Sequence, residues 1–193
     1  MTANRNTILE KVILVTGPAR SGKSEWAETL AMPSASVIYI ATAKVDPLDA
    51  EWQSRLAKHR NRRPATWTTW EIPERLVESI NTAPPNGCIL IDSLGTWVAN
   101  RLEEDDAMWE NTVQNLCTSL KNVNTQIIIV AEETGWGVVP AYVSGRTFRD
   151  RIGNLTRRIG AIASEVYLVT GGYALNLTTL GSRLPAANHN LCD

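Results

Sequence analysis

The sequence predicts an α/β fold, a mainly parallel sheet flanked by helices, and three observations carry that prediction. Short apolar runs of strand length alternate along the chain with segments whose apolar residues recur at helical spacing. The first run leads directly into Gly17-Pro18-Ala19-Arg20-Ser21-Gly22-Lys23-Ser24, and an amphipathic stretch follows it. The 193 residues suffice for one domain with a substantial core and are too few for two ordinary α/β domains, so residues 1–193 read as a single domain with its core over about 11–180.

The elements follow in order. Residues 11–16 form an apolar run that ends at the glycine-rich segment, and residues 24–32 then place Trp26, Ala27, Leu30 and Ala31 on one helical face. Residues 37–41 read as a second buried strand. A polar loop containing Pro47 leads to a helical stretch over about 49–59, with Asp46 or Asp49 as its N-cap. Residues 66–71 alternate as a short strand, and Pro73 opens a helix carrying Leu76, Val77 and Ile80 before the turn Pro84-Pro85-Asn86-Gly87. Residues 88–92 form the next strand. Trp109, Val113, Leu116 and Leu120 recur at steps of three and four, which marks a helix packed on a sheet, and residues 126–131 read as a fully buried strand. Phe148, Ile152, Leu155, Ile159 and Ile162 make another apolar stripe, with Arg149, Arg151, Arg157 and Arg158 expected elsewhere on that helix. Residues 165–170 close the series as a strand, and the chain frays from about Gly181.

Composition narrows the class. Hydrophobic residues at 44% and charged residues at 20% describe a globular protein without disordered or repetitive tracts. A net charge of −1 gives no general reason to bind nucleic acid or an anionic membrane, so a polyanion site must be local. No run approaches the roughly 18 apolar residues of a membrane span, and the N-terminus lacks the core of a secretory signal, which reads as cytoplasmic. Cys88, Cys117 and Cys192 are too far apart for a CxxC pair and read as buried or incidental thiols. Seven tryptophans against one phenylalanine read as core and pocket walls rather than a base-stacking platform.

The segment from Gly17 to Ser24 fits GxxxxGK[ST]. Its glycines let backbone N–H groups turn inward around phosphates while the following helix presents its positive end. Lys23 is placed to reach the β and γ phosphates, and the Ser24 hydroxyl to ligate Mg²⁺. Asp92 closes an apolar strand and is suited to hold that metal or its water, the alternative being a helix cap.

A phosphate loop alone names no substrate. The second signal is Lys58-His59-Arg60-Asn61-Arg62-Arg63-Pro64, one histidine among four cations, with Trp52, Leu56 and His59 on one face of the helix before it. A neutral imidazole can attack phosphorus and form a phosphoramidate, splitting one nucleotidyl transfer into two displacements. Nearby cations lower a histidine pKa from its reference of about 6.5, and guanidinium groups bind phosphate oxygens bidentately. On spacing alone, a packed histidine beside a solvated basic turn is the favoured reading.

Taken together, ILVTGPARSGKSEWAE, YIATA, HRNRRPATWTTWE, LIDSLGTWVAN and ETGWGVVPAYVSGRTFRDRIG resemble the bifunctional adenosylcobinamide kinase/adenosylcobinamide-phosphate guanylyltransferase family of cobalamin biosynthesis. The resemblance runs over about residues 12–169. It implies a RecA-like P-loop fold and two reactions: phosphorylation of adenosylcobinamide by ATP or GTP, then transfer of GMP from GTP to give adenosyl-GDP-cobinamide and pyrophosphate. By resemblance His59 carries the GMP as a guanylyl-histidine. Gly17, Pro18, Ala19, Arg20, Ser21, Gly22, Lys23 and Ser24 contact nucleotide, as do Ile40, Ala41 and Thr42. Arg60, Asn61, Arg62, Arg63, Glu71 and Asp92 complete the GTP site. Mg²⁺ is implied with GTP or ATP, at Ser24 and Asp92, with no permanently bound cofactor. The implied partners are GTP, ATP, adenosylcobinamide and its phosphate, and further copies of the chain in a homotrimer.

The chain departs from the family pattern in four places. Pro18 replaces the usual second loop glycine, and two extra residues lie between Thr42 and His59 around Pro47. Glu132 stands where Asn is common, and Thr156-Arg157 replaces an Asn-Gln pair. The changes at 132, 156 and 157 are expected to touch corrinoid or subunit contacts more than nucleotide chemistry. Two other readings are a kinase alone, with His59 only positioning nucleotide, and a nucleotide-gated interaction module without turnover.

Overall fold

The computed structural model describes residues 12–44, 60 and 62–185. The helix expected over 49–59, His59, Asn61 and Cys192 lie outside the described residues. Seven strands form one sheet: β1 (Val12–Gly17), β2 (Val37–Ala41), β3 (Thr68–Glu71), β4 (Cys88–Asp92), β5 (Gln126–Glu132), β6 (Glu165–Thr170) and β7 (Tyr173–Asn176). The helices are α1 (Lys23–Ala31), α2 (Leu76–Thr82), α3 (Leu94–Ala99), α4 (Asp106–Asn122), α5 (Val143–Ile162) and α6 (Leu177–Leu180).

The sheet order is β3-β2-β4-β5-β1-β6-β7, parallel throughout except for the β6–β7 pair. Apolar residues run unbroken through the central strands because both faces are covered. Alternate residues serve opposite faces. Val12, Leu14, Ile89, Ile91, Ile127 and Ile129 face the core shared with α2, α3, α4 and α5. Ile13, Val15, Tyr39, Leu90, Ile128 and Val130 face Ala27 and Ala31 of α1. This order places β5 between β1 and β4, so the carboxyl ends of these three strands converge where α/β sheets bind ligands.

Three elements go beyond the sequence expectation. Helix α3 has six residues, too few to show a helical period, yet Leu94, Trp97 and Val98 are fully buried. Strand β7 is an antiparallel edge with exposed Tyr173 and Leu175, and the short α6 follows it. Arg151 does not share the exposed side of α5 with Arg157. It lies three residues after Phe148 and four before Leu155, so helical spacing puts it on the apolar stripe. There it is buried, donates to the carbonyls of Arg101 at 2.9 Å and Glu104 at 2.6 Å, and stacks over the Trp109 ring.

Trp97 and Trp109 fill the core as expected, whereas Trp136 is exposed. Cys88 and Cys117 are both buried free thiols. No helix among the described residues is long and apolar enough to cross a membrane.

Candidate active site

The loop between β1 and α1 is fixed by two different demands on glycine. Gly22 has φ 91°, the left-handed region that favours glycine, and room around it. A Cβ on Gly17 would lie 2.3 Å from the Val169 carbonyl oxygen of β6, so glycine is needed there for close approach. Arg20, exposed at the loop tip, also takes positive φ, at 60°. The Pro18 carbonyl receives Ser21 N–H and the Lys23 ammonium, each at 3.3 Å. Lys23 is buried, and the buried hydroxyls of Thr16 and Ser21 have no hydrogen-bond partner. A strand, a loop with polar atoms in hand and a helix N-terminus are the parts of an anion site.

Asp92 ends β4 and accepts the Tyr39 hydroxyl at 2.8 Å. Burial first, then the Asp92 charge, pushes the Tyr39 pKa far above its ordinary value, so the phenol remains a donor. Ile40 is fully buried in the core. Thr42 is also buried, and its hydroxyl ties Ser93 by donating to the Ser93 carbonyl at 2.6 Å and accepting Ser93 N–H at 3.0 Å. Of Ile40, Ala41 and Thr42, which lie at the end of β2 rather than in a turn, the side chains of Ile40 and Thr42 thus serve packing and the β4–α3 turn.

The basic segment docks on the same edge. Arg62 spans Glu25 at 2.7 Å and Glu28 at 3.2 Å, on the helix that begins with Lys23 and Ser24. The Arg63 guanidinium lies 3.7 Å over the Tyr39 ring, and Tyr39 in turn holds Asp92. Arg60 pairs with Glu71, the last residue of β3, at 2.8 Å in an exposed ion pair. The structure therefore gathers the loop, Asp92, Arg62 and Arg63 at one end of the sheet.

Glu132, one of the departures from the family pattern, stands at the same end of the sheet. It ends β5 beside Gly17 in the β1–β5 register. One carboxylate oxygen accepts the Ser93 hydroxyl, and the other accepts Gly95 N–H at 2.7 Å. Burial pushes its pKa up; the Ser93 hydrogen bond and the Lys23 charge pull it down, and Asp92 pushes it up again. The signal that singled out Asp92, a carboxylate closing an apolar strand, was equally present at Glu132. Thr156 and Arg157 lie on α5, the first with a buried, unpartnered hydroxyl and the second exposed.

The family model for cobinamide kinase / cobinamide phosphate guanyltransferase, CobU, matches residues 13–177. The chain belongs to the CobU family. It is 35% identical over 181 residues to the bifunctional adenosylcobalamin biosynthesis protein CobU of Escherichia coli K12, covering 86% of this chain and 99% of that one. The CobU protein of Salmonella typhimurium is likewise 35% identical over 182 residues, covering 86% of this chain and 99% of its own. CobP of Pseudomonas aeruginosa is 38% identical over 167 residues, covering 85% of this chain and 95% of its own. This CobU-family chain is accordingly a bifunctional cobinamide kinase and cobinamide phosphate guanylyltransferase of cobalamin biosynthesis.

Among solved structures, a protein of Pyrococcus horikoshii OT3 superposes with TM-score 0.54 at 6% identity, covering 88% of this chain and 86% of that one. An ATPase from a bacterial type III secretion system superposes with TM-score 0.51 at 8% identity, covering 90% and 59%. At such identities the likeness is one of fold alone.

Proposed function

We propose that this CobU-family chain runs both of its reactions on one phosphate site, with His59 as the nucleophile of the second. The observation that carries the reading is the Arg62 bridge to Glu25 and Glu28, which docks the segment following His59 on the helix that opens with Lys23 and Ser24. In the kinase step, the loop residues 17–24 hold ATP or GTP while a hydroxyl of adenosylcobinamide takes the γ-phosphoryl group. In the transferase step, the His59 imidazole attacks the α-phosphorus of GTP, the bond to the β-phosphate oxygen breaks, and pyrophosphate leaves with the electron pair. The phosphate of adenosylcobinamide phosphate then displaces histidine and yields adenosyl-GDP-cobinamide.

Arg60, Arg62 and Arg63 supply charge for the phosphates, and each would exchange its present partner for an oxygen of the nucleotide. Ser24 and Asp92 would hold Mg²⁺. Among the described residues no group of three or more His, Cys, Asp and Glu side chains gathers into a protein cage. One hydroxyl and one carboxylate beside a phosphate loop suit an ion that keeps phosphate and water ligands. When bound, Mg²⁺ offsets phosphate charge during transfer. The single domain, the homotrimer and the adenosylated form of the corrinoid belong to this proposal too.

Product analysis tests it. With adenosylcobinamide, ATP, GTP and Mg²⁺, adenosylcobinamide phosphate should form first and adenosyl-GDP-cobinamide second, and Lys23→Ala should depress both steps. Loss of only one step in a folded Lys23→Ala protein would refute the shared site.

A further inference from the structure

We propose that Glu132 is the proton acceptor for the corrinoid hydroxyl in the kinase step. The argument starts from position. Ile91 pairs with Ile129, so β5 runs past the end of β4 at Asp92 and carries Glu132 beyond it, to the carboxyl end of the β1–β5 pair. There it flanks Gly17, the first residue of the phosphate loop, and its carboxylate feels the charges of both Lys23 and Asp92.

The carboxylate is held still. Ser93 donates its hydroxyl to one oxygen and Gly95 its N–H to the other. Ser93 is itself fixed through Thr42, whose hydroxyl also meets Thr96 at 2.5 Å. Space has been cleared for it as well, since a Cβ on Gly95 would lie 2.1 Å from a Glu132 carboxylate oxygen.

Holding the turn does not require a charge. An amide carbonyl would accept a hydrogen bond from the same donors, and a carboxylate beside an incoming triphosphate adds repulsion and a desolvation cost. What the carboxylate adds, in a chain that departs here from the common Asn, is the capacity to take a proton. In the step, the corrinoid hydroxyl oxygen forms a bond to the γ-phosphorus, and the bond from that phosphorus to the β-phosphate oxygen breaks. The nucleoside diphosphate leaves with the electron pair, and the hydroxyl proton passes to Glu132 and on to solvent after product release. Lys23, whose charge the Glu132 carboxylate feels, would face the charge that develops on the transferring group.

The inference rests on the family's kinase activity and on the loop as its phosphate site, not on the role of His59. The experiment compares wild type, Glu132→Gln and Gly95→Ala in steady-state phosphorylation of adenosylcobinamide by ATP, with thermal unfolding and GTP labelling of each protein. General-base catalysis contributes about 10²–10⁴-fold, so Glu132→Gln should lower kcat by that order while KM for ATP changes by no more than about threefold. Gly95→Ala, which leaves the carboxylate in the chain but pushes it aside, should lower kcat in the same sense. Phosphorylation should fall at least about tenfold more than covalent labelling by GTP, a half-reaction that deprotonates no corrinoid hydroxyl. A Glu132→Gln kcat within about threefold of wild type would overturn the proposal. So would a parallel loss of both activities together with a lowered melting temperature, which would make Glu132 a brace for the turn. Wild-type protein that phosphorylates but takes no label would defeat the His59 reading and leave the kcat comparison intact.

Discussion

Replacing Gly17 by alanine isolates one physical demand of the phosphate loop. Gly17 does not have a left-handed φ, so the backbone conformation itself admits alanine. The obstacle is space: the new Cβ would sit 2.3 Å from the Val169 carbonyl oxygen and 2.8 Å from the Ser21 hydroxyl. The hydroxyl can rotate away, but the carbonyl belongs to β6, which is paired with β1 on one side and β7 on the other. Relief therefore means moving strands or loop by about an ångström, an overpacking cost of about 1–3 kcal/mol. For a chain of this size, each kcal/mol moves the melting temperature by about 2–4 °C, so the expected drop is about 2–12 °C. If the loop yields instead of the strands, nucleotide affinity falls, about tenfold for each 1.4 kcal/mol. Thermal unfolding and titration with a non-hydrolysable ATP analogue read the two outcomes. A Gly17→Ala protein with unchanged melting temperature and unchanged affinity would refute the reasoning.

Three further predictions follow from named contacts. Tyr39→Phe keeps the ring under Arg63 but removes the 2.8 Å hydrogen bond to Asp92, and denaturant unfolding should show a loss of about 1.5–3 kcal/mol; a loss below about 0.5 kcal/mol would contradict it. Burial pushes the Cys88 thiol up to about 11, so only about one molecule in a thousand carries its thiolate at pH 8. Mass spectrometry after treatment with a thiol reagent should find Cys88 unmodified in the native protein, and rapid modification would show the strand open. The raised pKa of Glu132 gives a stability contribution that is full below its ordinary value of 4.5 and is lost as pH rises through the folded-state value. Melting temperatures of Glu132→Gln relative to wild type should therefore rise from pH 4.5 to pH 7, and a flat difference would argue against the raised value.

Much of this architecture is legible in the sequence because it is written in runs and periods. The strand at residues 88–92 and the stripe from Trp109 to Leu120 fall where they were expected. Helix α3 was missed because six residues, among them Gly95 and Thr96, show no period; burial of Trp97 against Trp109 stabilises it instead. Strand β7 carries exposed apolar residues at a sheet edge, where pattern and burial part company. Strand order is a long-range property, so the meeting of Lys23, Asp92 and Glu132 follows from β5 lying between β1 and β4 and from nothing local. Arg151 shows the opposite error: its spacing placed it on the buried stripe, but its charge argued for solvent. The carbonyls of Arg101 and Glu104 settled the conflict by satisfying the guanidinium inside the protein.

The most direct test of the account is incubation of the protein with α-labelled GTP and Mg²⁺, wild type beside His59→Ala. A shared phosphate site feeding a histidine nucleophile predicts an acid-labile, base-stable adduct on wild type with release of pyrophosphate. It predicts no adduct on His59→Ala, which should still phosphorylate adenosylcobinamide. Label retained by His59→Ala, or equal loss of both activities in a folded variant, would contradict it.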